Sequence, residues 1–348
     1  MVRWDSRIQP GLYSGYLLWT MISLAALSAL TISFANVLFF DAIQQVMVFG
    51  AMALSFDYFS GYTGYYNLGF GAQLAVGGYV FVYAANGGLN LFLALLLAGA
   101  SSVAFSLVTS YPVMRLRGGY FAIGTLALVI LLYMFDVNLP EYTGGQIGFH
   151  VNASTPQIAL PLFIGSTLFL MVALLVHLTI GRSKLGLTLR SIREDEGVTQ
   201  SVGVNTFRAK QITFCLSGFF AGLSGGIYAL YIGYVSVQNL LGLGTGLLPV
   251  TAAVIGGTGI FIGPLVGVIL LTGLKLTLPS AVATVFPTLS FGPLVYIGLL
   301  LVVAGLFFPQ GLLQVRFLRR FADARPDRVL TGSLQMKKIP AAPPQQDR

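Results

Sequence analysis

Residues 58–114 read YFSGYTGYYNLGFGAQLAVGGYVFVYAANGGLNLFLALLLAGASSVAFSLVTSYPVM and contain no Asp, Glu, Lys or Arg. Residues 211–274 are equally free of these four residue types. A helix that crosses a bilayer needs about 20 apolar residues, and backbone exposed to lipid must satisfy its own hydrogen bonds. Each stretch is therefore predicted to cross a membrane more than once, as helices.

The composition of the whole chain agrees with this prediction. Of the 348 residues, 56% are hydrophobic and 9% are charged, whereas a soluble domain carries roughly 25% charged residues. The net charge of +8 is compatible with a nucleic-acid partner, but the Lys and Arg residues lie in short segments between apolar runs and near the two ends. Membrane topology explains this pattern better, so we expect a lipid bilayer and no nucleic acid as the surroundings.

Windows of about 20 apolar residues, broken at charges, Pro and Gly clusters, predict ten spans. The predicted spans are 17–40, 42–59, 68–84, 89–111, 119–138, 158–180, 211–233, 240–255, 262–278 and 290–308. The eighth and ninth are short and rich in Gly and Pro, so merging or re-entry of one of them stays open. The predicted fold class is an all-α integral membrane protein of about ten transmembrane helices with Gly- and Pro-interrupted spans.

Basic residues predict the orientation, because short loops rich in Lys and Arg stay on the cytoplasmic side. In the ten-span arrangement the segment 140–157 falls outside, whereas four basic segments fall inside, around Arg3, Arg115, 182–210 and Arg316. Lys275 is the exception, because it lies near an outer span end, where its long side chain can reach the interface.

The same arrangement divides the chain into three parts. Residues 1–16 form a cytoplasmic N-terminal segment, and 17–309 form the transmembrane domain, with a long cytoplasmic loop at 181–210. Residues 310–348 are polar, basic and rich in Pro, a composition that cannot bury enough apolar area to fold alone. We expect them to form a disordered cytoplasmic tail.

Enzyme signatures are missing from the sequence. There is no phosphate-binding loop and no His-Glu-x-x-His pattern, and neither His150 nor His177 has a second histidine at metal-ligand spacing. Both histidines are interpreted as incidental. Cys215 is the single cysteine, which excludes a disulfide within the chain and a cysteine metal cluster. The sequence predicts no catalytic residue, metal or cofactor.

The carboxylates also bear on the energy source. Asp41, Asp57, Asp136 and Glu141 all fall at predicted span ends. Proteins that couple transport to protons or sodium usually carry ionisable residues deep inside their spans. The pattern therefore argues against an ion-coupled transporter and indicates that energy comes from another subunit.

Residues 181–211 read GRSKLGLTLRSIREDEGVTQSVGVNTFRAKQ and are the longest predicted cytoplasmic loop. A basic flank precedes the acidic cluster Glu194, Asp195 and Glu196. A helix is predicted over 188–202, with Gly203 as its stop. Two interpretations stay open. The segment is either a solvated connector, whose charges reflect only its cytoplasmic position, or a docking helix for a cytoplasmic partner.

Small residues recur in the seventh span. Gly218, Gly222 and Gly226 follow one another at four-residue spacing, which predicts close packing against a neighbouring helix rather than a binding role.

Six segments occur in a fixed order from the second span to the end of the last. They are GYTGYYNLGFG at 61–71, RLRGGYFAIGTLAL at 115–128, YTGGQIG at 142–148, the loop 181–211, IGGTGIFIGPLVG at 255–267 and FFPQGLL at 307–313. Together they resemble the permease subunits of ATP-driven importers for branched-chain amino acids, of the LivM-like type. Each segment alone is weak, but the ordered set is specific.

The resemblance implies a multi-pass permease of the bacterial inner (plasma) membrane with both termini cytoplasmic. It implies three kinds of partner, namely a second permease subunit, two cytoplasmic ATPase subunits and an extracytoplasmic solute-binding protein. The loop would couple the permease to the ATPases through Arg193, Glu194, Asp195, Glu196 and Gly203. The expected path residues, all in the matching segments, are Tyr62, Asn67, Tyr120, Thr125, Gly144 and Gly145.

The solute stays open at this point. Permeases of this type import branched-chain amino acids, urea or short amides, and other small carboxylates, and branched-chain amino acids are the expected solute here. Alternatives are an ion-coupled secondary transporter that acts alone and a purely structural membrane subunit.

Overall fold

The structure is a computed structural model that describes residues 37–145, 147–152 and 159–285. Four predicted regions lie outside these residues. They are the segment 1–16, the first span 17–40 apart from its last four residues, the last span 290–308 and the tail 310–348.

The described chain is helical almost throughout. Its elements in chain order are α1 Val37–Thr63, α2 Phe70–Asn86, α3 Leu91–Val113, α4 Gly119–Asn138, α5 Pro140–Thr143, β1 Phe149–His150, α6 Ala159–Arg182, α7 Lys184–Glu194, α8 Glu196–Ser201, α9 Thr206–Ile232, β2 Tyr234–Val235, α10 Val237–Leu241, α11 Leu243–Gly246, α12 Leu248–Gly256 and α13 Gly263–Val285.

The long helices are apolar around their whole circumference, as expected of helices surrounded by lipid and by other helices. Within the described residues, α3, α4, α6 and α9 have the length and composition of membrane spans. The first part of α13, Gly263–Thr277, is a shorter apolar helix. These helices confirm a helical membrane architecture, while the number of ten spans stays a prediction.

Glycines let α9 pack closely against α2 and α3. A Cβ atom at Gly222 would collide with the backbone of Ala98 in α3, and one at Gly77 in α2 would collide with Gly222 itself. Added Cβ atoms at Gly218 and Gly226 would also meet neighbouring side chains. The predicted close packing through these glycines is confirmed.

The predicted eighth span, 240–255, is wrong as a single helix, because α10, α11 and α12 take its place. Gly242 separates α10 from α11, and Pro249 lies at the start of α12. Irregular backbone at membrane depth is tolerated where protein surrounds it. Eight of the nine residues of α12 are buried, so the last of the three segments lies inside the helix bundle.

The two ends of the bundle differ. At one end β1 pairs antiparallel with β2, with Phe149 opposite Val235. We call this the β end. The segment α7–α8 lies at the other end, because α9 begins just after α8 and runs 27 residues to β2. At 1.5 Å per residue, this helix is about 40 Å long.

Candidate functional site

The helix α7 lies across one end of the bundle. Its first turn is capped by Ser183, whose Oγ accepts a hydrogen bond from Gly186 N at 3.1 Å. Leu189 and Ile192 are buried, whereas Leu187 is half exposed. The helix packs on α1, α6 and α9, so its apolar face holds it against three long helices.

The continuous helix predicted over 188–202 is wrong, because the chain breaks at Asp195. This residue is extended, with φ −158° and ψ 111°, and it separates α7 from α8. Its Oδ1 accepts a hydrogen bond from Val198 N at 3.0 Å. Asp is a favoured N-cap residue, so the same side chain that interrupts the first helix starts the second.

Gly203 follows α8, as predicted for a helix stop. Its φ is +84°, in the left-handed region that residues with a Cβ atom rarely adopt. Its N–H donates to Gln200 O at 2.9 Å. The chain then turns towards α9.

Glu196 points into the protein. One carboxylate oxygen, Oε1, lies 2.7 Å from Lys210 Nζ in α9 and accepts a hydrogen bond from Thr206 Oγ1 at 3.1 Å. The other, Oε2, accepts the Tyr65 hydroxyl hydrogen at 2.5 Å. Lys210 Nζ also lies 4.7 Å from the centre of the Tyr65 ring. Glu196 therefore joins α8 to α9 and to the loop between α1 and α2.

These contacts set the acidity of the carboxyl group. Burial alone raises the pKa of Glu196, but hydrogen bonds from Lys210, Tyr65 and Thr206 and the charge of Lys210 outweigh it, so the pKa lies below its ordinary value. Burial, followed by the hydrogen bond to Glu196, raises the pKa of the Tyr65 hydroxyl well above its usual range. The contact is thus between a carboxylate and a protonated phenol.

Arg193 makes the second connection to the helices. Its Nη1 donates to Gly61 O near the end of α1 at 2.8 Å. The turn before α13 meets the same point, because a Cβ atom at Gly259 would lie 2.7 Å from Gly61 O and 3.0 Å from Arg193 Nη1. Gly259 has φ +77°. Only glycine combines this conformation with so close an approach.

A buried pair of titratable side chains lies one turn deeper. His177 Nε2 in α6 is 2.9 Å from Asp57 Oδ2 in α1, and both side chains are almost completely buried. Gly259 N donates to both Asp57 carboxylate oxygens at 3.0 Å. The Tyr62 hydroxyl donates to His177 O at 2.9 Å. Asp57 thus connects α1, α6 and the turn before α13.

The interpretation of His177 as an incidental side chain is wrong. A signal was present in the sequence, because Asp57 lies two residues before the end of the predicted span 42–59 and His177 three before the end of 158–180. Both spans are predicted to run in the same direction. The two residues are therefore predicted to lie at similar depths from the same side of the membrane, and this would have suggested that they are in contact.

The four predicted coupling side chains differ in what they bind. Arg193 and Glu196 bind other elements of this chain through their side-chain heads. Glu194 and Asp195 are exposed, and Asp195 bonds only within its own segment among the described contacts. The same segment carries two exposed apolar side chains, namely Val198 (62% exposed) and Val202 (74% exposed).

The six predicted path residues do not form one site in the structure. Asn67 and Thr125 are buried near each other, since Leu68 N donates to Thr125 Oγ1 at 3.1 Å. Tyr62 is also buried, at the α7–α8 end, whereas Tyr120 is 76% exposed. Gly144 and Gly145 lie in the turn after α5, towards the β end, with φ of +73° and +55°. Their role in a path stays a prediction.

Among the residues that the structure describes, no three His, Cys, Asp or Glu side chains are grouped to hold a metal ion.

The apolar helices, their close glycine packing and the folded segment across one end define a multi-span helical membrane protein. The chain belongs to the family described as the permease component of the branched-chain amino acid transport system, whose profile matches residues 38–304. The resemblance predicted from the six ordered segments is confirmed.

Individual relatives are more distant. The chain is 27% identical over 249 residues to the high-affinity branched-chain amino acid transport system permease protein LivM of Salmonella typhimurium, which covers 63% of this chain and 58% of that protein. It is 29% identical over 181 residues to LivH of Escherichia coli K12, covering 51% of this chain and 56% of LivH. The chain thus matches a little over half the length of these relatives.

A sugar permease also matches. The ribose import permease protein RbsC of Escherichia coli K12 is 27% identical over 270 residues, covering 72% of this chain and 81% of RbsC. No solved structure matches the chain.

Proposed function

We propose that this chain is the transmembrane permease component of an ATP-binding-cassette importer and moves a small polar solute inward. Family membership over residues 38–304 supports this proposal, as do relatives named as permeases of amino-acid and ribose transport. Branched-chain amino acids are the proposed solute, and urea or a short amide is the alternative within the same class.

The partners follow from the proposal. A second permease subunit completes the pathway, two cytoplasmic ATPase subunits hydrolyse ATP, and an extracytoplasmic protein delivers the solute. The α7–α8 end then faces the cytoplasm together with both chain termini and the tail 310–348, and the β end faces outward. The basic loop 182–210 supports this orientation.

The observation that carries the proposal is the construction of α7–α8. Arg193 and Glu196 fix the segment to α1 and α9, while Glu194 and Asp195 remain exposed beside Val198 and Val202. Val198 and Val202 are four residues apart, a spacing that places two side chains on one helix face, so the segment offers an apolar contact as well as two carboxylates. We assign this surface to contact with an ATPase subunit.

The same contacts provide a mechanical connection. A displacement of α7 would reach α1 through the bond between Arg193 and Gly61 O. It would reach the turn before α13 through Gly259, which contacts Asp57, Gly61 and Arg193. Rigid, fully bonded contacts of this kind transmit rigid-body motion between subunits.

One observation favours a second candidate, an ion-coupled transporter. Asp57 and His177 form a buried titratable pair inside the helix bundle, and such pairs serve as proton relays in pumps and transporters. In the proposed function the pair is a structural connection instead. Uptake driven by a proton gradient without ATP would favour the second candidate.

Assembly tests the docking surface. The double substitution Glu194→Lys with Val198→Asp should reduce co-purification of the ATPase subunits at least about tenfold, because a mispaired charge at a docked surface costs about 2 to 5 kcal/mol. Glu141→Lys on exposed α5 repeats the Glu194 charge reversal away from the segment, so it is the control for that change and should leave assembly unchanged. If the ATPases co-purify equally with both variants, α7–α8 does not dock an ATPase subunit and is only a connector.

A further inference from the structure

A cavity of about 320 Å³ opens among α1, α9 and α13, away from the α7–α8 segment. Among the residues that the structure describes, one acidic and one basic side chain line it. Its lining residues are Asp41, Gln45, Phe49, Tyr228, Tyr231, Ile232 and Lys275.

The carboxylate of Asp41 is held in place by neutral donors. Tyr231 donates its hydroxyl hydrogen to Oδ1 at 2.5 Å, and Gln45 Nε2 donates to Oδ2 at 3.0 Å. These bonds fix both oxygens while leaving the negative charge uncompensated. Gln45 Oε1 is buried and has no hydrogen-bond partner among the described residues.

The ammonium group of Lys275 is also unpaired within the part of the chain that the structure describes. The ion pairs found there are His177 with Asp57 and Lys210 with Glu196. Lys275 and Asp41 therefore line one cavity with opposite charges but do not bond to each other. Both residues lie near predicted span ends, and their position in one cavity without a bond between them points to a ligand.

The remaining walls are apolar and aromatic. Phe49 and Tyr228 are buried, and Ile232 is partly buried. A ligand with one positive and one negative group and an aliphatic part would complement the described residues that line this cavity. A neutral sugar or amide would leave both charges uncompensated.

We propose that this cavity binds a small zwitterion, with the ligand ammonium at Asp41 and the ligand carboxylate at Lys275. Tyr231 and Gln45 act as positioning residues for the Asp41 carboxylate, and Phe49 and Ile232 contact the aliphatic part. This inference rests on the proposed function and favours its amino-acid solute over the urea or short-amide alternative, because the cavity presents two opposite charges. It also makes Asp41 and Lys275 the residues that distinguish amino acids from the neutral solutes of related permeases.

Ligand-dependent stability tests the site without any transport step. The full chain is purified in detergent without a solute-binding protein, and its unfolding temperature is measured with L-leucine, isoamylamine, 4-methylpentanoate or D-ribose. At a concentration of about ten times Kd, a ligand that binds only the folded state should raise this temperature by about 2 °C. Leucine should produce the shift, and the two singly charged analogues and ribose should not.

Variants assign the two charges. Asp41→Asn and Lys275→Met should each abolish the leucine shift. Glu141→Gln removes an exposed carboxylate outside the cavity and should keep the full shift. If either variant fails to fold, the wild-type comparison of leucine with its two analogues still decides the question.

Some outcomes would overturn the proposal. Equal stabilisation by leucine and by either singly charged analogue would do so, as would a leucine shift that persists in both variants. Absence of any leucine shift in the wild-type chain would also reject the cavity as a solute site. Failure of the proposed function is a separate result, because it would appear as absent ATP-driven uptake in the assembled complex, whatever the binding data show.

Discussion

His177 Nε2 lies 2.9 Å from Asp57 Oδ2, and the two side chains are 1% and 0% exposed. The pair joins α6 to α1, and the two bonds from Gly259 N to the same carboxylate add the turn before α13. A buried charge that loses its partner is strongly destabilising, whereas loss of the whole pair is often tolerated. The pair therefore holds α1, α6 and the turn before α13 together, close to the α7–α8 segment.

Removal of one member of this pair should destabilise the protein. Among the described residues, His177→Leu leaves Asp57 with the Gly259 backbone donor alone, and it should cost about 3 to 5 kcal/mol of unfolding free energy. The double substitution Asp57→Leu with His177→Leu should cost less than the sum of the single substitutions, by about 0.5 to 3 kcal/mol. Unfolding in mixed detergent micelles gives these free energies. Strictly additive single effects would show that the two side chains act independently.

The Glu196 cluster predicts a pH dependence. The pKa of Glu196 in the folded protein lies below its ordinary value of about 4.5, so its stabilising effect is full above that value and is lost as pH falls through the lowered pKa. Glu196→Gln should therefore unfold at a lower temperature than wild type at pH 7. The two unfolding temperatures should converge as the pH drops below about 4. A wild-type advantage that is constant from pH 7 to pH 3 would contradict the assigned ion pair.

Gly203 should resist substitution for conformational reasons alone. No atom would lie within 4 Å of an added Cβ, but the φ of +84° is unfavourable for alanine, by about 1 to 2 kcal/mol. Gly165→Ala is the matched control, because Gly165 is helical and equally open, and alanine there should stabilise by about 0.5 to 1 kcal/mol. Equal effects of the two substitutions on the unfolding temperature would argue against the left-handed turn.

Gly222 should resist substitution for steric reasons. An added Cβ would collide with Ala98 in α3, so Gly222→Val should separate α9 from its neighbours and cost about 3 kcal/mol, the upper part of the range for overpacking of a well-packed core. Gly273→Val in α13 is the control, because Gly273 is exposed and has open space around it. Yields of folded protein on size-exclusion chromatography should fall sharply for the first variant and little for the second.

Sequence reasoning was most successful where the signal is local. The apolar runs predict α3, α4, α6 and α9 because length and composition alone determine a membrane span. The spacing of Gly218, Gly222 and Gly226 predicts close packing because glycines four residues apart share one helix face. The break at Asp195 was missed, although Asp is a common N-cap residue. The predicted helix was drawn through the whole charged cluster, and that cluster contains both the end of α7 and the start of α8.

The side-chain contacts needed information that one sequence does not contain. Glu196 was predicted to dock a partner, but its ion pair depends on Lys210 lying beside it in space and on Tyr65 from a distant loop. Asp57 and His177 meet only because α1 and α6 are neighbours, and Asp41 shares a cavity with Lys275 because α1 also packs on α13. The packing of the whole bundle decides which helices are neighbours. The hydrophobic pattern of one sequence does not predict these neighbours.

The central claim is that this chain moves solute only as part of an ATP-driven complex. The most direct measurement is uptake of radiolabelled leucine into proteoliposomes that contain the chain with its ATPase and permease partners, supplied with the solute-binding protein. We predict uptake when ATP is on the side of the α7–α8 segment, and none when a proton or sodium gradient replaces ATP. Gradient-driven uptake by this chain alone, without ATP or partners, would contradict the account.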